Sequence, residues 1–225
     1  MPENQKPKIY LAGDIMSHGS NLARQEEYDK FVEAGIDADV YSPVMNKSIN
    51  DKTSVTEEEN NHLAEKITSA DIGRLWESDC VVISPEQSAV GTLCELGCLY
   101  GWRYVAAIMD RVVGNIAEKI NKDVWDDADR ELFNREFAAS MLGMYRMLAD
   151  KAVFAHYFDI RTNHLNEKDW RRSFSINQLL YGMILDVTSD KMLNNSFDEV
   201  LPKLKEWISK LEESGKNGKN AENEG

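Results

Sequence analysis

Short apolar runs, each separated from the next by a helical stretch, restrict this chain more than any other feature. Lys8-Ile-Tyr-Leu-Ala-Gly13 and Cys80-Val-Val-Ile83 lack the in–out alternation of a half-exposed strand, and Ala38–Ser42 reads as a further short strand between them. Ahead of Ala38, Asn21–Glu33 sets Leu22, Tyr28, Phe31 and Val32 near one helix face and charges over the rest. Thr56-Glu-Glu-Glu59 has capping-box spacing and opens a helical stretch that reaches Ser78. Strands that are apolar throughout need cover on both faces, and the intervening helices supply it. The fold class that follows is α/β, a doubly wound parallel sheet of flavodoxin- or Rossmann-like type. Ser84–Gly91 reads as a turn-rich loop, Thr92–Gly101 as a helix and Arg103–Met109 as a fourth strand. Ligands of such sheets bind beyond the carboxyl ends of the strands, where the strand order reverses. That rule gathers the loops after Leu11, Ser42, Ile83 and Met109 around one crevice.

Beyond Asp110 the pattern becomes helical and rich in Met and Leu. Helices are predicted over Trp125–Asp150, Trp170–Leu185 and Phe197–Glu213, a helical C-terminal extension that begins near residue 113. Met141, Met144 and Met147 suit a core or an oligomer contact. At 225 residues the chain fits a single domain, 1–213. Ser214–Gly225, dense in Gly, Asn, Lys and Glu, is expected to be a disordered acidic tail. The polar start, Met1–Lys8, has no signal-peptide pattern, and no apolar run nears the roughly 20 residues of a membrane span. A cytoplasmic address without membrane contact is expected.

The 26 basic and 39 acidic residues leave a net charge of −13, which repels a phosphodiester backbone. Nucleic-acid polymers are therefore not expected partners, whereas small nucleosides or nucleotides remain open. Cys80, Cys94 and Cys98 fit a reduced setting. His18, His62, His156 and His164 show neither HExxH spacing nor a Cys/His cluster, so no metal or cofactor is expected.

Two stretches carry candidate chemistry. Gly13-Asp14-Ile-Met-Ser17-His18-Gly19-Ser20 follows the first strand but is not a GxGxxG fingerprint. Its backbone N–H groups can meet a ribose hydroxyl or a phosphate, while Ser20 reads equally well as a helix N-cap. In Ser88-Ala-Val-Gly91-Thr-Leu-Cys-Glu95-Leu-Gly97, Glu95 falls in the predicted first turn of a helix facing the crevice, with Gly91 and Gly97 allowing close backbone approach. Alone, Glu95 also reads as a surface carboxylate favoured by the helix dipole. Asp71, ahead of the third strand, and Tyr10, on the first, could converge with it on one pocket. A carboxylate to attack an anomeric carbon, an acid to serve the leaving group and a tyrosine to hold the nucleophile would suit retaining glycosyl transfer.

With those residues in place, the region from about 8 to 110 resembles the nucleoside 2-deoxyribosyltransferase family. Its superfamily also holds 2′-deoxynucleoside 5′-phosphate N-hydrolases and a cytidylate N-glycosidase. The resemblance rests on Lys8–Gly13, on Asp71-Ile-Gly-Arg-Leu-Trp-Glu-Ser-Asp79 running into Cys80–Ile83, and on Gly91-Thr-Leu-Cys-Glu95-Leu-Gly97. It implies Glu95 as nucleophile, Asp71 as the acid that exchanges a proton with the base, and Tyr10 as the orienting group. Gly13, Asp14, Ser88 and Gly91 would then line the substrate. Ile176-Asn177-Gln-Leu-Leu-Tyr-Gly182 resembles a segment whose asparagine enters a neighbouring subunit's pocket, implying at least a homodimer. Ala89 stands where transferases carry Asp and nucleotide hydrolases Ser, with Ser88 beside it. Lys47 falls near a base-contacting glutamine. The 113–172 insertion has no counterpart in the shortest members. The implied activity is deoxyribose transfer between nucleobases through a glycosyl-Glu95 intermediate, in nucleoside salvage. Hydrolysis of a nucleoside 5′-monophosphate, or nucleotide binding without catalysis, are the alternatives.

Overall fold

The computed structural model describes residues 6–47, 56–120, 151–158 and 176–222, together with positions 127, 131, 143 and 148. Strand β1 is Lys8–Gly13, followed by helix α1 (His18–Glu33), strand β2 (Asp39–Tyr41) and a short 3-10 turn at Pro43–Met45. Helices α2 (Glu57–Asn61) and α3 (Leu63–Glu77) lead into β3 (Cys80–Ser84), and the long α4 (Val90–Ile120) follows. Next come β4 (Ala152–His156), α5 (Gln178–Val187), β5 (Leu193–Asn194) and α6 (Phe197–Glu222). All strand pairs are parallel, in the order β2-β1-β3-β4-β5. This is the flavodoxin-like arrangement, and the chain reverses direction across the sheet between β1 and β3.

The chain divides into two compact units, Met1–Leu96 with Ala152–Gly225, and Gly97–Lys151. The first holds the whole sheet. Alternate strand residues point to opposite faces, and one face carries Ile9, Leu11, Cys80, Val82, Ala152 and Phe154. These pack with Phe31 of α1 and with Phe197, Val200, Leu204 and Ile208 of α6, whose spacing of three and four residues makes one helical stripe. Each such side chain contributes roughly 1.5–3 kcal/mol when fully buried. The other residues of the same strands, among them Tyr10, Val81, Ile83 and Val153, are equally buried. Cover on both faces is why these strands show no alternation in the sequence. In the second unit, the Arg103 guanidinium donates to the Lys151 carbonyl at 3.3 Å.

Local signals explain the ends. Ser17, not Ser20, is the N-cap of α1; Ser20 is its partner in a reciprocal capping box, each side chain meeting the other's backbone N–H. Gly35 takes φ 63° just after α1, the left-handed position a glycine fills without strain. Thr56 and Glu59 form the predicted box, but the helix they open breaks at His62 into α2 and α3. Leu22 and Val32, expected on the packed face of α1, are exposed, while Phe31 is buried.

The predicted strand Arg103–Met109 is instead the interior of α4. A continuous apolar run of that length suits a strand or a buried helix equally, and the glycines at 97 and 101 do not stop the helix. The fourth strand is Ala152–His156, buried throughout, so the loop after His156 takes the place assigned to the loop after Met109. Apart from positions 127, 131, 143 and 148, the helix predicted over Trp125–Asp150 lies outside the described residues, as does the Met-rich face, while the predicted Trp170–Leu185 is described from Ile176 and is helical over Gln178–Val187. Helix α6 continues past Glu213 to Glu222, with the Ser214 hydroxyl donating to the Lys210 carbonyl inside it. Among the described residues no helix is long and apolar enough to cross a membrane.

Candidate functional site

At the switch point the structure brings Tyr10 and Glu95 together. The Tyr10 hydroxyl donates to Glu95 Oε1 at 2.5 Å, and both residues are buried. That length is typical of a hydroxyl bonded to a carboxylate. Tyr10 comes from the middle of β1. Glu95 sits in the second turn of α4, because that helix begins at Val90 rather than at the predicted Thr92. Tyr10 is also the register partner of Tyr41 on β2, and their rings stack with centroids 5.5 Å apart and planes 24° from parallel. The Tyr41 hydroxyl donates to Asp71 Oδ1 at 2.9 Å and accepts from Asn46 Nδ2 at 3.0 Å. The three predicted catalytic side chains are thus joined in one chain of contacts: Glu95, Tyr10, Tyr41, Asp71.

Burial sets the electrostatics. Desolvation pushes Glu95 up to about 7, opposed by the Tyr10 hydrogen bond and reinforced by the charge of Asp71. Asp71 is raised as well, by burial, while the bond from Tyr41 pulls it down. Tyr10 is held far above the ordinary phenol range, first by burial and then by the Glu95 charge, so it remains a donor. A nucleophilic carboxylate must be ionised. With a donor whose leaving group needs no proton, the rate of any step in which Glu95 attacks is therefore expected to rise about tenfold per pH unit below 7 and to level off above it. A pH profile of kcat/KM checks this; a plateau extending down to pH 5 would contradict it.

The other predicted residues divide. Gly13 closes β1 where a Cβ would collide with the Arg24 guanidinium, so close approach explains this glycine. Asp14 accepts from the Ser20 hydroxyl at 2.7 Å and from the Met16 N–H at 3.1 Å. Ser88 and Gly91 are exposed at the entrance to α4, and Lys47 is exposed beside Asn46. Asn177 is exposed and caps α5, its Oδ1 accepting from the N–H groups of Leu179 and Leu180 at 3.0 and 3.3 Å. Asp79, which belongs to the motif ahead of β3, is structural: its carboxylate accepts from the Lys8 N–H at 2.8 Å and ties β3 to β1.

Sequence reading missed Tyr41 and Asn46. The usable signal was positional, since in a parallel sheet a tyrosine ending β2 lies beside the third residue of β1. It also missed a buried cluster at the carboxyl edge. Arg24 donates to Glu27 at 2.6 Å, and His156 Nε2 lies 3.5 Å from the same oxygen. Burial pushes Glu27 up to about 7 and His156 down to about 3, so the imidazole is neutral and its contact with Glu27 is no ion pair. Nothing in the amphipathic pattern of α1 marks Arg24 as buried. Among the described residues no group of three His, Cys, Asp or Glu side chains is placed to hold a metal ion.

Together these features define a flavodoxin-like, doubly wound α/β protein with a buried tyrosine–carboxylate pair at its switch point. No protein-family model matches the chain, and no curated protein matches its sequence. Among solved structures, it is similar to a conserved protein from Enterococcus faecalis V583. That likeness has a TM-score of 0.53 at 18% identity and covers 89% of this chain and 98% of the other; at that identity it shows the fold. A 2-deoxyribosyltransferase from the psychrotolerant bacterium Bacillus psychrosaccharolyticus also aligns, with a TM-score of 0.42 at 15% identity over 86% of this chain and 90% of that one.

Proposed function

We propose that this chain moves 2-deoxyribose from one nucleobase to another through a glycosyl ester on Glu95. The observation that carries the reading is the buried hydrogen bond from Tyr10 to Glu95, joined through Tyr41 to a second carboxylate, Asp71. Tyr10 engages Oε1, which leaves Oε2 to attack the anomeric carbon of the donor. The bond from that carbon to the base nitrogen breaks, and its electron pair leaves with the base, which takes a proton from Asp71. In the return step an acceptor base attacks the same carbon. The ester bond breaks back onto Glu95, and the proton of the acceptor passes to Asp71. The nucleophile is buried and the acid half-buried, so the Tyr10 dipole acts strongly on Glu95 and the field between the two carboxyl groups is only partly screened.

Asp14, Gly13, Ser88 and Gly91 are assigned to the sugar side, Lys47 to the base side, and Asn177 to the pocket of a neighbouring subunit. The reading therefore includes a homo-oligomer of two or more chains, free nucleosides and nucleobases as partners, and a cytoplasmic setting. Hydrolysis of a 5′-monophosphate is the weaker reading. Three donors after β1 are already engaged, since the Ser20 N–H meets Ser17 Oγ and the Ser20 hydroxyl and the Met16 N–H meet Asp14, and the Asp14 carboxylate adds a repelling charge.

The test offers a deoxynucleoside and its 5′-monophosphate separately, each with an excess of a second base, and identifies the products. A new nucleoside from the unphosphorylated donor is the expected result. Free base and sugar phosphate, from the monophosphate alone, would replace transfer by hydrolysis.

A further inference from the structure

We infer that Tyr41 is a positioning residue of this site, which fixes the oxygen of Asp71 that carries the exchangeable proton and ties Asp71 to the Tyr10–Glu95 pair. The inference rests on the reading of Asp71 as the group that exchanges a proton with the base.

A phenol has one proton to give. Asn46 Nδ2 donates to the Tyr41 oxygen at 3.0 Å, so that oxygen is already an acceptor, and its own proton is directed to Asp71 Oδ1 at 2.9 Å. With Oδ1 receiving a hydrogen bond, a proton on Asp71 belongs on Oδ2. The ring is fixed as firmly as the hydroxyl. The parallel register sets Tyr41 beside Tyr10, and the rings stack at 5.5 Å. Arg74, one turn beyond Asp71 on α3, places its guanidinium carbon 5.5 Å from the centre of the Tyr41 ring. Helix α3 therefore holds Tyr41 twice, through Asp71 at the hydroxyl and through Arg74 at the ring. Any shift of Tyr41 moves the proton donor relative to the nucleophile.

The hydroxyl also adjusts acidity. A hydrogen bond to the charged form of a carboxyl favours that form, and Tyr41 counteracts the upward push of burial on Asp71. Removing the hydroxyl raises Asp71 further and frees Oδ1 to compete for the proton.

Tyr41→Phe keeps the stacked ring and removes only the hydroxyl. Its kcat/KM with a natural deoxynucleoside is expected to fall about 10–100-fold, part of what general acid help supplies. With a donor whose leaving group departs as a stable anion the loss should stay below about threefold. The limb of the pH profile that disappears in Asp71→Asn should move to higher pH. Asn46→Ala, which loosens the aim of the Tyr41 proton, should move the same limb in the same direction by less, and it serves alone if Tyr41→Phe fails to fold. Equal losses for both donors with an unmoved limb would reduce Tyr41 to packing, and parent-like kinetics in Tyr41→Phe would sink the inference. Failure of the parent to form new nucleoside from any donor would instead overturn the proposed function.

Discussion

Glu95→Gln is expected to lower transfer of deoxyribose by on the order of 10⁴-fold or more while leaving the chain folded. Glutamine is nearly isosteric and its carbonyl oxygen can still accept from the Tyr10 hydroxyl, so the geometry that Tyr10 imposes is preserved. The amide has no charge to form an ester with, and loss of a nucleophile typically costs several orders of magnitude. Stability gives an independent check with the opposite sign. The folded chain holds the Glu95 proton up to about 7, against 4.5 for an ordinary glutamate, so between those pH values the unfolded chain binds fewer protons. The stabilisation that Glu95 contributes is full below 4.5 and is lost as pH rises through 7. Glutamine has no such loss, so at pH 8 the variant should melt no lower than the parent. Activity within tenfold of the parent would remove Glu95 from the nucleophile's role. A melting temperature well below the parent's would make the activity loss uninformative and shift the test to trapping the glycosyl ester.

Asp71→Asn is expected to reduce exchange of natural bases by about 10²–10⁴-fold, the range general acid–base help supplies. The loss should depend on the donor. A base that must be protonated to depart feels the whole effect, whereas a leaving group stable as an anion needs no proton. The asparagine carbonyl oxygen still accepts from Tyr41, so the contact at 2.9 Å survives and the change isolates the proton. Initial rates with the two donor types, compared between parent and variant, decide it. Equal losses would mean that Asp71 binds or shapes the pocket without moving a proton.

Much of the sheet was legible because its signals are local. Lys8–Gly13 was read to the residue, since an apolar run ending in glycine before a capping serine marks both ends of a strand. The order β2-β1-β3 is the flavodoxin-like arrangement, which strand–helix alternation suggests without fixing; the pairing of β1 with both β2 and β3 decides it. Arg103–Met109 failed for a physical reason: a short apolar run is the same string in a buried strand and in a helix, and only its neighbours choose. Here Cys94 to Met109 continue one helix, and the edge left open beside β3 is filled by Ala152–His156, far along the chain. No local pattern could announce that pairing.

The site divides along the same line. Residue type and spacing singled out Glu95, a glycine-flanked carboxylate after a strand, with Asp71 and Tyr10 as groups that could meet it, and the family resemblance implied the role of each. Their connection was not visible. Tyr41 joins them through parallel register, which places residues 31 positions apart side by side, and through a stack and two hydrogen bonds that need both strands and α3 in place. The raised pKa of Glu95 belongs to the tertiary structure too, since desolvation depends on what is packed around the carboxylate and not on what precedes it in the chain. Sequence determined which groups are present and which strands they flank; packing decided their protonation, their partners and the direction of each proton.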